Sequence, residues 1–481
     1  MSERQGQAPL FEALCRHTEK NTANLHIPGH RQGQSIPEGL LSLGNRDLFS
    51  LDLTELPGLD DLHNPSGPIH LAQELAANLY GADRSFFLVN GTSTGIHALL
   101  IATVGQGQVI VPRNAHRSVL GGLVLAGADP VYVIPELIPE FGLDCGVTPA
   151  TVRVALEDNP AAAAIMAVSP NYYGVIGDLP GYVEAAHRVD KPLLVDEAHG
   201  AHLRFHPALP EDAMACGADA AVQSTHKLGG SLTQSSVLHL QGTCIDQHDV
   251  AAALRLLQTT SPSYLLMVSL DLARRQLALR GKGLLDQALE LAYRLREQLS
   301  MIDGVSVLSP EHLPMGARLD PTRLVISVRK LGLSGYQVQQ LLAERYRVYI
   351  EMADSAHVVA IVSIGSVRAD CEELARAMED IAARERKTES ILLIAPPDNF
   401  TVLMKPREAW FAKVHQIPLV EASGRISAET IAVYPPGIPA VNPGEEITVD
   451  VINYLIAVRK IGLPCQGPSD PTLKTITVVV E

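Results

Sequence analysis

"LLVDEAHG" (193–200) is the stretch on which the reading of this chain turns. A short apolar run closing on Asp-Glu-Ala-His is how a nucleic-acid helicase writes the acidic motif that handles magnesium and nucleotide. A buried strand ending in an aspartate also builds a quite different cofactor site. The helicase reading requires a second element, the Gly-x-x-x-x-Gly-Lys-Ser/Thr loop that grips phosphate. The Gly-Lys pair of this chain, Gly281-Lys282, is followed by Gly283 instead. The net charge is −15 and aromatic residues make up 4%, poor material for binding a polyanion or stacking bases. The helicase reading fails, and nucleic acid is not an expected partner.

Working outward, the chain from about 80 to 240 alternates aliphatic runs with helical patterns. "RSFFLV" (84–89) leads into "STGIHALLIATV" (93–104), and "GQVIVP" (107–112) into "HRSVLGGLVLAGA" (116–128). "AAAIMAVSP" (162–170), "LPGYVEAAHRV" (179–189), "PLLVDEA" (192–198) and "ADAAVQSTHK" (218–227) continue the alternation. Strand, turn and helix repeated in this way predict an α/β fold around a largely parallel sheet covered on both faces. Ligands of such sheets bind outside the carboxyl ends of the strands, where this sequence gathers its polar and glycine-rich junctions.

From about 284 the texture changes. "LLDQALELAYRLREQLSMI" (284–302) predicts an amphipathic helix with Leu285, Leu289, Ala292, Leu295 and Leu299 on one face. Strands over 323–328, 347–353 and 357–365 and helices near 335–346 and 370–385 complete an α+β unit. A Pro- and Gly-rich region then carries "YPPGIPAVNPGEEI" (434–447) and a terminal strand in 472–481. The expected division is an N-terminal segment (1–60), a large domain (61–283), a small α+β domain (284–390) and a C-terminal domain (391–481). "YPPGIP" has the composition of a polyproline ligand, but its place between strands favours a rigid loop.

A chain of 481 residues with 46% hydrophobic content has ample material for two or three cores. No apolar run reaches bilayer length, and the N-terminus lacks a basic-then-apolar leader pattern, so no membrane partner is expected. The six cysteines are scattered, without a Cys-x-x-Cys pair. That predicts a reduced, cytoplasmic protein without structural zinc. His199, His202 and His206 share no helix face, and no thiolate or carboxylate completes a set, so no metal is expected. His202 and His206 are expected at the surface or an interface.

"VQSTHKLGGSLTQSS" (222–236) gives the aspartate of 193–200 a task. A lysine at a strand end, flanked by Ser and His and followed by small residues, suits covalent capture of an aldehyde. Lys227 then forms a Schiff base with pyridoxal phosphate, Ser224 holds the phosphate, and Asp196 salt-bridges the pyridine nitrogen so that the ring accepts electrons. Ala198, on the same side of the strand as Asp196, is small enough to lie under the ring. "NGTSTG" (90–95), between a strand and a helix, places Gly91, Thr92 and Ser93 where a phosphate is favoured.

These residues carry a resemblance. With "HIPGHRQG" (26–33), "DLTELPGLDDLHNPSGPI" (52–69), "FFLVNGTSTG" (86–95), "VPRNAHRS" (111–118), "SPNYYGVIGDL" (169–179), "VDEAHGAH" (195–202), "STHK" (224–227), "TTSPSYLLMVSLD" (259–271) and "YPPGIPAVNPGE" (434–445) in order, the chain resembles the group I ornithine/lysine/arginine decarboxylases. The form is the short one, without an extra response-regulator-like domain. The resemblance implies the pyridoxal-phosphate-dependent transferase fold (fold type I), with a mostly parallel seven-stranded sheet. It implies Lys227, Asp196, His116 and His226 as catalytic residues, with His116 stacked on the cofactor ring and His199 lining the cofactor site. Decarboxylation, as against the other reactions of this cofactor, also rests on the resemblance. So does the substrate, a basic amino acid: arginine giving agmatine is favoured, with lysine or ornithine open, in polyamine synthesis.

Glu351 and Asp354 stand where the distal cation of the substrate would be met, although an exposed carboxylate pair has the same appearance. A homodimer or higher homo-oligomer, each active site completed by the neighbouring subunit, is implied as well. Two other readings stay open. One is another fold-type I enzyme, an aminotransferase or aldolase-type lyase. The other is a non-catalytic, regulatory relative, against which the intact Lys227, Asp196, Ser224 and His226 argue.

Overall fold

The computed structural model describes residues 3–20, 23–44, 46–387, 396–433 and 437–480. Its central feature is a seven-stranded sheet built from β1 (Arg84–Leu88), β2 (Gln108–Pro112), β3 (Asp129–Val133), β4 (Ala162–Val168), β5 (Leu193–Asp196), β6 (Ala220–Gln223) and β7 (Ser236–Leu240). The strand order is β1-β7-β6-β5-β4-β2-β3. β2 runs parallel to β3 and β4, and β5 parallel to β6, whereas β7 is antiparallel to both its neighbours. The sheet is thus mostly parallel with one reversed strand. Strands such as "LLVD" and "AAVQ" are buried along their whole length, which is why they read as apolar runs and not as alternations.

Helices follow the strands, three of them as predicted, while Pro149–Asp158 carried no expectation from the sequence. α1 (Gly91–Leu99) follows β1, α2 (Arg117–Ala126) follows β2, and Pro149–Asp158 and Leu179–His187 flank β4. In α1, a Cβ on Gly95 would stand 2.6 Å from Val222 Cγ1 and 2.8 Å from Leu88 Cδ1. Only glycine lets the helix backbone lie this close to β1 and β6. The first unit of the chain, Met1–Thr103 with Leu194–Leu284, has its own core around Leu10, Leu14, Ile69, Phe87, Tyr264 and Met267.

The second unit comprises Val104–Leu193 and Leu285–Glu481. Part of it is a four-stranded antiparallel sheet of β8 (Ser306–Val307), β9 (Arg323–Ser327), β10 (Met352–Ala353) and β11 (His357–Ile361), in the order β8-β9-β11-β10. Leu295, Leu299, Leu324, Ile326, Val358, Met378 and Ile381 form its core. A further cluster, including Val441, Ile447, Leu455, Val458 and Ile476, lies in the C-terminal region.

Three sequence expectations shift. The helix expected from 284 is α4 (Tyr264–Ser300), 37 residues long, so the "TTSPSYLLMVSLD" block is helical from Tyr264 onward. Gly281 and Gly283 look like a break, yet Gly281 faces Phe205, whose Cβ would stand 3.1 Å from an added Cβ, and the helix runs on. The strand expected over 347–353 reduces to Met352–Ala353, and Arg347, at φ 56°, ends the preceding helix. The strand expected over 192–198 ends at Asp196. The loop read in "YPPGIP" begins in 434–436, outside the described residues.

Candidate active site

The candidate residues gather at the carboxyl ends of β5 and β6. β6 ends at Gln223, and Ser224 caps a single turn of helix, α3 (Thr225–Leu228), which presents Lys227. The Lys227 amine lies 2.9 Å from Nε2 of His199, in the turn after β5. An amine and an imidazole at this distance share a hydrogen bond, and so can pass a proton. Ser224 is buried, with its hydroxyl 3.2 Å from that of Thr92 at the start of α1. Gly91, at φ 75°, has nothing within 4 Å of the position of an added Cβ, so the backbone is open there. Ser93 occupies the same first turn of α1.

Asp196 closes β5 and is buried, its Oδ1 accepting the amide of Ala198 at 3.1 Å. This bond folds the chain back at once, which corrects one expectation. Ala198 belongs to the turn, not to the strand, so its direction does not follow from strand alternation. The same inward turn corrects a second. His202, expected at the surface or an interface, is buried within the chain, while His206 is only partly exposed and takes the Ala208 amide on Nδ1. His226 is half-buried and donates from Nδ1 to the Ser235 carbonyl, 3.0 Å away; burial lowers its pKa, so the ring favours the neutral form.

A polar network that sequence reading missed supports this turn. Glu197, between Asp196 and Ala198, is fully buried and accepts the Ala213 amide and the Gln223 side chain, both at 2.8 Å. Gln223 in turn accepts from His239 at 3.3 Å, and Ser85 donates to the other His239 nitrogen at 2.7 Å. The chain of side chains links the ends of β5 and β6 to β7 and β1. Burial, reinforced by the nearby Asp212 charge, drives the Glu197 carboxyl well above its usual range. Burial also pulls His239 down to about 3, which keeps it neutral.

In the second unit, His116 caps α2, its Nδ1 accepting the Ser118 amide at 3.3 Å, and its ring lies 6.5 Å from that of Tyr172. Glu351 and Asp354 are not brought together. Glu351 is exposed, whereas Asp354 is buried and bound by Tyr173 (2.8 Å), His357 (2.9 Å) and the amides of Ala356 and His357. Burial alone would raise the Asp354 pKa; the His357 charge and these hydrogen bonds outweigh it and hold the carboxyl below its usual range. Asp354 is occupied by its own fold.

In the first unit, an amine, a buried carboxylate and a hydroxyl-lined helix start meet the needs of pyridoxal phosphate: an aldehyde, a ring nitrogen and a phosphate. Residues 8–370 match the family described as Orn/Lys/Arg decarboxylase, major domain, and residues 395–467 match the C-terminal domain of the same family. The chain is 41% identical to proteins named arginine decarboxylase from Halalkalibacterium halodurans and Bacillus subtilis, over 99% of each chain. It is 25% identical to a lysine decarboxylase of Pseudomonas aeruginosa, covering 94% of this chain and 76% of that one. The crystal structure of the Francisella novicida lysine decarboxylase superposes with a TM-score of 0.83 at 21% identity, over 99% of this chain and 82% of that one. On the matched length and the full-length relatives, the chain belongs to the Orn/Lys/Arg decarboxylase family.

Proposed function

We propose that this protein decarboxylates arginine to agmatine and carbon dioxide, through a covalent link between Lys227 and pyridoxal phosphate, and so feeds polyamine synthesis. The protein is a carboxy-lyase of basic amino acids, and its cofactor is pyridoxal phosphate. The choice of arginine rests on one observation: the relatives matched at 41% identity over 99% of both chains carry that name, and those named for lysine match at 24–25%. Among the described residues, no helix is long and apolar enough to cross a membrane.

Pyridoxal phosphate, when bound, supplies an aldehyde that captures amines and a ring that accepts the electron pair left by departing carbon dioxide. Lys227 is the amine of the chain that makes this capture. His199, in contact with it, takes and returns the proton that Lys227 must lose to become a nucleophile. Asp196 holds a negative charge in a buried place, where its field is strong, and so keeps a proton on the ring nitrogen. Gly91, Thr92, Ser93 and Ser224 bind the phosphate with amides and hydroxyls. His116 is assigned to the ring face from the family resemblance, together with Ala198 and His226 in the cofactor pocket. With Asp354 held by Tyr173 and His357, Glu351 is the carboxylate left to meet the distal cation of the substrate. The functional unit is a homodimer in which loops of one subunit complete the site of the other.

The test is incubation of the purified protein and pyridoxal phosphate with arginine, lysine and ornithine separately, measuring carbon dioxide and amine. Agmatine from arginine, at a kcat/KM well above the other two, is expected. Preference for lysine or ornithine would overturn the substrate assignment, and a keto acid in place of an amine would point to transamination.

A further inference from the structure

His116 is preceded by Arg113 and Asn114, and each of these is gripped by a buried carboxylate from a distant part of the chain. Arg113 makes a two-pronged ion pair with Glu445, Nη1 to Oε1 and Nη2 to Oε2, the second at 2.8 Å. The side chains are 5% and 1% exposed. The guanidinium lies over the rings of Phe400 and Tyr132, 4.3 and 5.0 Å from their centres. Glu445 is itself fixed, with Oε2 accepting the Asn442 amide at 2.8 Å. Gly444 beside it passes so close to Met404 that a Cβ would stand 2.2 Å from the Met404 carbonyl oxygen. Asn114 donates to Asp144 Oδ1 at 2.6 Å, and the same oxygen accepts from Asn171 at 2.8 Å. Asn171 also accepts the amides of Tyr173 and Val175, so Asp144 ties the loop that carries Tyr172 to the loop that carries His116.

A buried ion pair is a weak source of stability, because desolvation offsets most of the attraction. Its strength is geometric, since a bidentate pair admits one arrangement. Stacking on Phe400 and Tyr132 restricts the guanidinium further. Two of the three residues before His116, Arg113 and Asn114, are thereby held from two sides. Neither carboxylate adjoins the motif in sequence: the separations are 332 residues for Glu445 and 30 for Asp144.

We propose that Glu445 and Asp144 are positioning residues for His116, and that the C-terminal region serves the reaction by clamping the loop on which His116 stands. This rests on the reading of His116 as a residue of the cofactor site. Glu445 acts on the loop through Arg113, and Asp144 acts through Asn114; neither touches substrate or cofactor. Misplacement of a stacking or proton-handling group by a fraction of an ångström lowers turnover without removing the covalent link at Lys227.

The experiment uses the full-length holoenzyme in four forms: wild type, Glu445→Gln, His116→Ala, and the two combined. The Gln substitution keeps shape and removes the charge. The readouts are kcat and KM for the decarboxylated amino acid, and the induced circular dichroism of the bound cofactor, which reports the asymmetry of its surroundings. In Glu445→Gln we expect kcat to fall about tenfold to a hundredfold, KM to change about twofold at most, and the cofactor dichroism to change. In the double variant we expect no further loss beyond His116→Ala, the signature of one residue acting through the other. Losses that multiply in the double variant would overturn the clamp while leaving His116 in the site. A His116→Ala enzyme with unchanged kcat and dichroism would overturn the placement of His116, and the clamp with it. Should Glu445→Gln fail to fold, the paired change Arg113→Met with Glu445→Met replaces the ion pair by apolar volume, and Asp144→Asn probes the other grip. The same non-additivity with His116→Ala is expected of each, and additivity in both would refute the proposal.

Discussion

Lys227, with its amine hydrogen-bonded to His199, is the residue on which the proposed chemistry converges. Borohydride treatment of the holoenzyme is expected to fix the cofactor on the peptide containing Lys227, and Lys227→Ala to abolish both the label and the decarboxylation; label on another lysine counts against the assignment. Asp196→Asn preserves size and removes the buried charge. Its kcat is expected to fall by about two orders of magnitude or more, with a smaller loss of cofactor affinity. Near-normal turnover would show that another group governs the ring nitrogen. These residues were legible as candidates because they stand in short spacings: Asp196 ends an apolar run, and Ser224, His226 and Lys227 form one block. Asp144, Glu197 and Glu445 were not. A carboxylate gives no local sign of the partner it will meet tens or hundreds of positions away, and Glu351 and Asp354 looked alike until burial separated them.

Among the elements, five of the seven sheet strands, all but β3 and β7, were legible because burial on both faces makes them uniformly apolar between turns. The start of α4 was not, since Gly281 and Gly283 imitate a break that Phe205 packing fills. The direction of β7 has no sequence sign either, as a reversed strand in this sheet is as apolar as a parallel one. That strand brings His239 into the network with Gln223 and Ser85, and the burial of its ring has a consequence for stability. The imidazole titrates near 6.5 when unfolded and is pulled down to about 3 when folded. Between those values the unfolded chain binds a proton that the folded chain refuses, so stability falls as pH drops from 6.5 toward 3 and is insensitive to this group above 6.5. At pH 5 the loss is about 2 kcal/mol. Glu197, raised by burial, pulls in the opposite direction, since its native carboxyl takes up a proton early as pH falls. Comparison with His239→Gln therefore isolates the imidazole. The difference in urea midpoint between pH 7 and pH 5 is expected to shrink in the variant; an unchanged difference would mean that the ring is protonated when folded.

For the whole molecule, the homodimer proposal has a direct test. Lys227→Ala and a Ser261→Ala, Ser263→Ala protein, each inactive alone, are mixed after mild dissociation. If sites are shared between subunits, mixed dimers regain activity at one of two sites. Demonstrated subunit exchange without recovery would place both sets of residues in one subunit.

The separation of Arg113 from Glu445 also bears on how the protein is made. During synthesis the guanidinium leaves the ribosome 332 residues ahead of the carboxylate that neutralises it. Until then the loop before His116 carries a positive charge that cannot be buried at low cost. A chain that stops short, through a nonsense codon or a stalled ribosome, is therefore expected to be an open substrate for proteases and not a half-working enzyme. Pulse-chase of a chain ended before residue 434 should show rapid degradation, against a stable full-length product. The region around Glu445 would then act as an inspection stamp, with catalytic competence expected only of copies that carry it.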